Sequence, residues 1–128
     1  MSREIAAIRA LYQKLLRAPR VKFPTAGKRL EASSKHGVYI IYSPRGAVLH
    51  VGRTVRGKNG LRQRLYNHIQ GNSSFSIQFL SGRGSLLRGN HAYAVLEVAS
   101  ARTRALLEAY AVGSLCPKHL GLGESAAA

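Results

Sequence analysis

Two strand-like segments held one turn apart constrain this chain more than any other feature. Gly37 to Tyr42 is dense in Val, Ile and Tyr, Ser43-Pro44-Arg45-Gly46 has turn composition, and Ala47 to Val51 is again strand-like. β-Branched and aromatic residues suit a pleated, half-buried surface, so the pair reads as a β-hairpin. With Ser43 to Gly46 as the loop and Tyr42 paired to Ala47, stepping back along both strands sets Tyr39 directly opposite His50. Opposed residues share a face, with Cβ atoms roughly 5 Å apart. A slip of one residue would send the two to opposite faces.

Helical periodicity flanks the hairpin. Ile5, Ile8, Tyr12, Leu15 and Leu16 recur at helical spacing between Ser2 and Arg17, and Pro19 stops the pattern. Ala18 to Lys35, with two prolines and Gly27, reads as a lead-in loop or short extended piece. Leu61, Leu65 and Ile69 lie along one face of a second helix that ends at Gly71. Asn72 to Asn90 mixes short apolar pieces with Ser and Gly and reads as a loop with an irregular strand or helical turn. His91 to Val98 is a third strand. Ser100 can cap a third helix bearing Leu106, Leu107, Tyr110 and Ala111, and Pro117 ends it. The order suits an α+β fold, helices packed on a mostly antiparallel sheet. Residues 1–34 are expected to pack as a helix and lead-in on a core spanning 35–121, with 122–128 a disordered tail.

A chain of 128 residues can bury one core without metal or disulfide staples. It has no apolar run near the roughly 18 residues of a membrane helix and no export signal at its start, so a soluble, cytoplasmic protein is expected. Cys116 is the only cysteine and is expected to be buried and inert. Charge is the strongest global signal. Twenty Lys and Arg against five acidic residues give +15 and a pI near 11.2. No acidic residue falls between Glu31 and Glu97, whereas Lys35, Arg53, Arg56, Lys58, Arg62 and Arg64 do fall there. That stretch is expected to face a polyanion. Lys35, Arg53, Arg56, Lys58 and Arg62 are the candidate nucleic-acid contacts.

Within it, Arg64 and His68 are spaced i, i+4 and share the border of the second helix's apolar stripe. A guanidinium there can hold a phosphate bidentately and offset developing charge, and an imidazole can position a proton near neutral pH. Arg62 lies on the other edge of the stripe and is assigned backbone contact. Glu108 sits just outside the third helix's stripe, and Glu97 is its only rival as a metal-binding carboxylate. A two-metal nuclease needs several carboxylates, which this chain cannot easily assemble. One Mg²⁺ on one glutamate suffices in principle, because Mg²⁺ keeps waters and takes ligands from the substrate phosphate. Each of these residues taken singly also fits an ordinary structural role.

Taken in order, they resemble the GIY-YIG nucleases. Gly37-Val38-Tyr39 is similar to the family's first motif and His50-Val51-Gly52 to its second. Arg64 with His68 resembles its helix, and Glu108 its metal-binding glutamate. The resemblance spans about Lys35 to Gly121. It implies a compact three-stranded sheet with flanking helices, the helix at the N-terminus being an addition, and single-metal hydrolysis of DNA phosphodiesters. By the same resemblance Tyr39 would help activate or orient the attacking water, and Arg64 would stabilise the phosphorane-like transition state. Glu108 would ligate Mg²⁺, with Mn²⁺ as a substitute, and His68 would assist proton transfer near Tyr39. The chain departs from the pattern twice. His50 replaces a tyrosine, and free His, titrating near 6.5, is the easier base at neutral pH. Leu120, in Pro117-Lys118-His119-Leu120, replaces an asparagine, leaving His119 as a neighbouring polar group.

The leading expectation is a DNA endonuclease, structure-selective or weakly sequence-selective, acting on single- or double-stranded DNA as a monomer or small homo-oligomer. The alternative is a nucleic-acid-binding module on the same fold that has lost catalysis. A third reading, a basic RNA-binding protein of the translation machinery, fits the charge and leaves the motif order to chance.

Overall fold

The computed structural model describes residues 2–121. The tail expected to be disordered lies outside the described residues. Helix α1 (Arg3–Arg17) begins where the Ser2 hydroxyl accepts the Ile5 N–H at 3.1 Å, and it turns Ile8, Tyr12 and Leu15 inward. Four strands follow, β1 (Val21–Lys22), β2 (Gly37–Tyr42), β3 (Val48–Arg53) and β4 (Ala92–Glu97). They form one antiparallel sheet in the order β1-β4-β2-β3. The sheet therefore has four strands, not the three expected. The lead-in supplies the extra one by pairing Val21 with Tyr93 and Lys22 with Ala92. Both its residues are exposed, so no period-2 pattern announces it.

Central β2 is buried along its whole length and parts two cores. On one face, Tyr39, Ile41 and Leu49 pack with Phe23 and Leu30 of the lead-in. Helix α2 (Gly60–Gln70), helix α3 (Ser74–Phe79) and a 3₁₀ turn at Gly84–Leu87 cover them. On the other face, Val38, Ile40, Tyr42 and Val51 meet α1 and helix α4 (Ala101–Leu115). Tyr12 and Tyr110 join those two helices edge to face, ring centres 5.1 Å apart. The segment from Asn72 to Asn90, expected to be largely irregular, holds α3 and the 3₁₀ turn. Ser73 caps α3, and Phe75 anchors it in the core.

The hairpin corrects the expected pairing. Ser43 N–H donates to Ala47 O at 2.8 Å and Gly46 N–H to Ser43 O at 2.9 Å, so the loop is one residue shorter than expected. Gly46 takes φ +88°, the left-handed step that closes a three-residue hairpin loop. Tyr42 then pairs with Val48, and a bulge beyond it leaves Ile41 paired with His50 and Tyr39 with Gly52. Tyr39 is diagonal to His50, not opposite it. The turn and the bulge each shift the register by one residue, and two shifts restore the parity. Both side chains still point to the α2 side of the sheet.

Two motif glycines are fixed by close approach. A Cβ on Gly37 would lie 2.1 Å from the Leu96 carbonyl oxygen on β4, and one on Gly52 would lie 2.3 Å from the Tyr39 hydroxyl. Cys116 corrects another expectation, for it is exposed. It forms the left-handed C-cap of α4, its N–H donating to Val112 O at 2.9 Å, and that geometry turns its side chain off the helix's buried face. Among the described residues no helix is long and apolar enough to cross a membrane.

Candidate active site

The free edge of β3 is where the layers converge. After α4, Pro117 starts a segment that runs back along this edge. Lys118 N–H donates to Val48 O at 3.2 Å and His119 N–H to Leu49 O at 2.8 Å. A cleft of about 550 Å³ opens there. His50 and Arg53 of β3, Arg64 of α2, Glu108 of α4, His119 and Leu120 line it. Arg64 and Glu108 approach it from helices on opposite faces of the sheet.

Tyr39 and His68 lie behind this cleft rather than in it, both fully buried. The Tyr39 hydroxyl is 2.6 Å from His68 Nε2, and His68 Nδ1 is 2.6 Å from the Ser73 hydroxyl, which also accepts the Ser76 N–H. Burial pushes the Tyr39 phenol up to about 12, against an opposing pull from the charge and hydrogen bonding of the Arg64 guanidinium beside it. Burial, then the neighbouring His50, Arg64 and His119, hold His68 well below the usual histidine range. At neutral pH the pair is a neutral phenol against a neutral imidazole.

His50 is the one buried histidine of the cleft wall with an unused nitrogen. Its ring stacks on Phe75 at 5.0 Å, and its Nδ1 lies 3.0 Å from His119 Nδ1. His119 Nε2 is 2.8 Å from Gln78 Oε1. An amide oxygen only accepts, so His119 carries its proton on Nε2 and offers a bare Nδ1. His50 must then donate from Nδ1, leaving Nε2 as a lone pair, and that atom is buried without a hydrogen-bond partner. Burial, then the His119 and Arg64 charges, lower His50 to about 3. The expectation of an easier base at neutral pH is thus overturned. His50 is a weak base with its free lone pair enclosed.

Among the described residues Glu108 is the only carboxylate lining the cleft. Its Oε1 lies 2.5 Å from Arg53 Nη1, with the side chains 24% and 36% exposed respectively. Arg53, expected to meet a phosphate backbone, is thereby held against the carboxylate. The rival Glu97 accepts from the Ser33 hydroxyl at 2.7 Å and lies outside the cleft. Lys35 lines a separate depression beside Glu97. Arg56 shares a groove with Arg53 and Arg64, Arg62 lines a further one, and Lys58 is exposed on the loop before α2. Leu120 is 44% exposed at the rim.

Sequence reasoning missed Arg104. Its buried guanidinium donates to Thr54 O at 3.0 Å, Val98 O at 3.0 Å and Ala99 O at 2.8 Å, tying α4 to the ends of β3 and β4. It stands one turn before Glu108 and so sets that carboxylate's position. Its spacing from Leu107 and Ala111, i+3 and i+7, already placed it on the inward face. Gln78 and Ser73 were also missed, each in a segment without periodicity.

No protein-family profile matches the chain, and no curated protein does. Among solved structures it is similar to the GIY-YIG N-terminal endonuclease domain of UvrC from Thermotoga maritima bound to its catalytic divalent cation, magnesium. That likeness has 21% identity and a TM-score of 0.48, covering 92% of this chain and 97% of that one. A tyrosine-to-phenylalanine and an asparagine-to-alanine point mutant of the same domain align at the same identity and TM-score, covering 96% of each.

Proposed function

We propose that this chain is a metal-dependent DNA endonuclease of the GIY-YIG type, with Arg64 and Glu108 facing the scissile phosphate and His50 in the wall of the same cleft. The carrying observation is the juxtaposition of Arg64, from one helical layer, with Glu108, from the other, the sole carboxylate of the cleft among the described residues. Arg64 can hold a phosphodiester directly, while Glu108 can meet one only through a bound cation. The residues fit a divalent cation held by one protein ligand. Among the described residues no three His, Cys, Asp or Glu cluster as a cage, while Glu108 borders a cleft with space for waters and phosphate oxygens. Glu108 would hold that ion, which when bound supplies Lewis-acid stabilisation and a water of lowered pKa.

The protein's own groups do the positioning. Arg64 donates to the non-bridging oxygens, where negative charge grows as the water oxygen bonds to phosphorus, its proton passing to solvent, and one bridging P–O bond breaks, the departing oxygen taking a proton from solvent. His50 packs in the cleft wall with its Nδ1 against His119 and its Nε2 enclosed, so it shapes the cleft and does not handle the water directly. Tyr39, enclosed behind Gly52, acts through Arg64, with its hydroxyl pinned by His68. Incubation of single-stranded, duplex and branched DNA with Mg²⁺ or EDTA tests this reading. Metal-dependent cleavage lost in Glu108→Gln supports it, and cleavage unaffected by that substitution refutes the site.

A second reading has its own support. With His50 lowered to about 3 and Arg53 on the carboxylate, the cleft also suits a module that binds nucleic acid without cutting it. That reading requires salt-sensitive binding and intact DNA after long incubation with Mg²⁺ or Mn²⁺.

A further inference from the structure

The cleft is one end of a longer cationic surface that crosses α2. Arg53 and Arg64 line both the cleft and an adjoining groove of about 310 Å³, which also holds Arg56, Gln63 and Asn67. Gln63 in turn lines a third groove of about 540 Å³ with Lys28, Arg29, Asn59, Arg62 and Tyr66. Among the described residues no carboxylate lines either groove. The Gln63 amide donates to Asn67 Oδ1 at 2.8 Å, so the ridge between them is polar and uncharged.

The third groove is preformed. Arg88 spends its Nη1 on the carbonyls of Pro24, Thr25 and Lys28, at 3.3, 3.2 and 3.0 Å, which fastens the lead-in segment carrying Lys28 and Arg29 opposite α2. On the α2 side stand Arg62 and, one turn later, Tyr66. The tyrosine is 41% exposed and stacks on no other ring among the described residues. An exposed aromatic ring among cations, in a space of nucleotide size, is the combination that holds unpaired nucleic acid. Cations track the phosphates, and the ring offers a face that any base can stack on.

We propose that this groove binds an unpaired nucleotide of the DNA strand under attack. Its base stacks on Tyr66, its phosphates lie between Arg62 and the Lys28–Arg29 wall, and the strand crosses the roughly 10 Å width of α2 to reach the cleft. The inference rests on the nucleic-acid reading of the cleft and sharpens it. The substrate carries single-stranded character beside the cut, as a flap, fork or single strand does, and a blunt duplex cannot fill the groove.

The full chain contains no tryptophan, so Tyr66→Trp places a single reporter in the groove. In EDTA, where cleavage plays no part, an oligo-dT strand should quench that emission. A strand with the same phosphates but abasic sites should bind without quenching. In anisotropy titrations Tyr66→Ala should weaken oligo-dT binding about tenfold, within the range of one aromatic–base stack, and change binding of a blunt duplex less than about twofold. Bound oligo-dT that leaves the emission unchanged, or equal losses for strand and duplex, overturns the proposal. Quenching that persists in a protein that cuts nothing with Mg²⁺ supports the groove and removes the nuclease reading alone.

Discussion

Arg53 and Glu108 form an ion pair of 2.5 Å at the wall of the cleft, so the one carboxylate there among the described residues already holds a cationic side chain. Both partners are partly solvated, which screens the pair to about 0.2–1 kcal/mol. Arg53→Gln removes that competitor and keeps a polar neighbour. Mg²⁺ titrated calorimetrically should bind the variant about 1.4- to fivefold more tightly than the parent, by conversion of that energy. Affinity that is unchanged or weaker would mean that the metal does not use Glu108, or that Arg53 orients it for the metal.

Gly52 lines the cleft and has no side chain to separate it from the Tyr39 ring behind. A Cβ there would fall 2.3 Å from the hydroxyl oxygen and 2.5 Å from Cζ, so Gly52→Ala must push the ring aside. The fold should survive with a loss of about 1–3 kcal/mol, the usual cost of an overpacked core. Turnover should fall about a hundredfold, because an ångström-scale misplacement behind the reacting groups is enough. Denaturant melts beside single-turnover kinetics check both parts, and a fully active Gly52→Ala would dismiss this argument.

These two pairs show what the chain's letters disclose. The helices and the inner strands were legible because each buries one face and so writes a period of 3.6 or 2 into its sequence. Tyr39 and His50 share a face as expected, although the route to it differs. Sequence composition marks a turn around Pro44 but not whether three or four residues close it, and nothing marks the bulge at Leu49. β1 stayed hidden because two exposed residues joined only by backbone pairing carry no side-chain pattern. The fully enclosed state of Tyr39 and His68, the Gln78–His119–His50 chain and the Arg104 anchor all depend on contacts between segments far apart in sequence. Their residue types were visible, but their partners were not.

Acid should destabilise this protein from a known starting point. His50 is lowered from 6.5 to about 3 in the folded state, and His68 is lowered too, whereas both titrate near 6.5 when unfolded. Between those values the unfolded chain binds more protons than the folded one. Stability is therefore fully present above about pH 6.5 and is lost as pH falls below it. Each fully suppressed histidine costs about 1.4 kcal/mol on going from pH 7.5 to 5.5, so Tm should drop by several degrees per group. His50→Leu, which keeps an apolar contact for Phe75, should flatten part of that slope. A Tm constant from pH 7.5 to 5.5 contradicts the burial of neutral histidines.

The Gln78–His119–His50 chain fixes a tautomer that can be read directly. Long-range ¹⁵N–¹H correlation spectra at pH 7.5 should show His119 protonated at Nε2 and His50 at Nδ1. Gln78→Ala removes the acceptor that orders the chain, and His50 should then populate both tautomers. Nε2-protonated His50 in the unmodified protein would overturn the order of protons along this chain.

Tyr39→Phe separates two roles for the buried phenol. If Tyr39 took the proton of the attacking water, its loss would remove a titrating group and change the shape of the pH–rate profile. The hydroxyl is enclosed, raised to about 12, and shared between His68 and the Arg64 guanidinium, so its removal should instead loosen Arg64. A hydrogen bond to a charged group is worth about 1.5–3 kcal/mol, which corresponds to a loss of roughly ten- to a hundredfold in kcat/KM. The profile should keep its shape because no essential titration has been deleted. Arg64→Lys should reproduce the loss, since an ammonium cannot span phosphate and phenol as a planar fork does. Adding Tyr39→Phe to Arg64→Lys should then cost little more, for two residues acting through one contact are not additive. Full additivity, or an altered pH profile in Tyr39→Phe alone, would return the phenol to the chemical step.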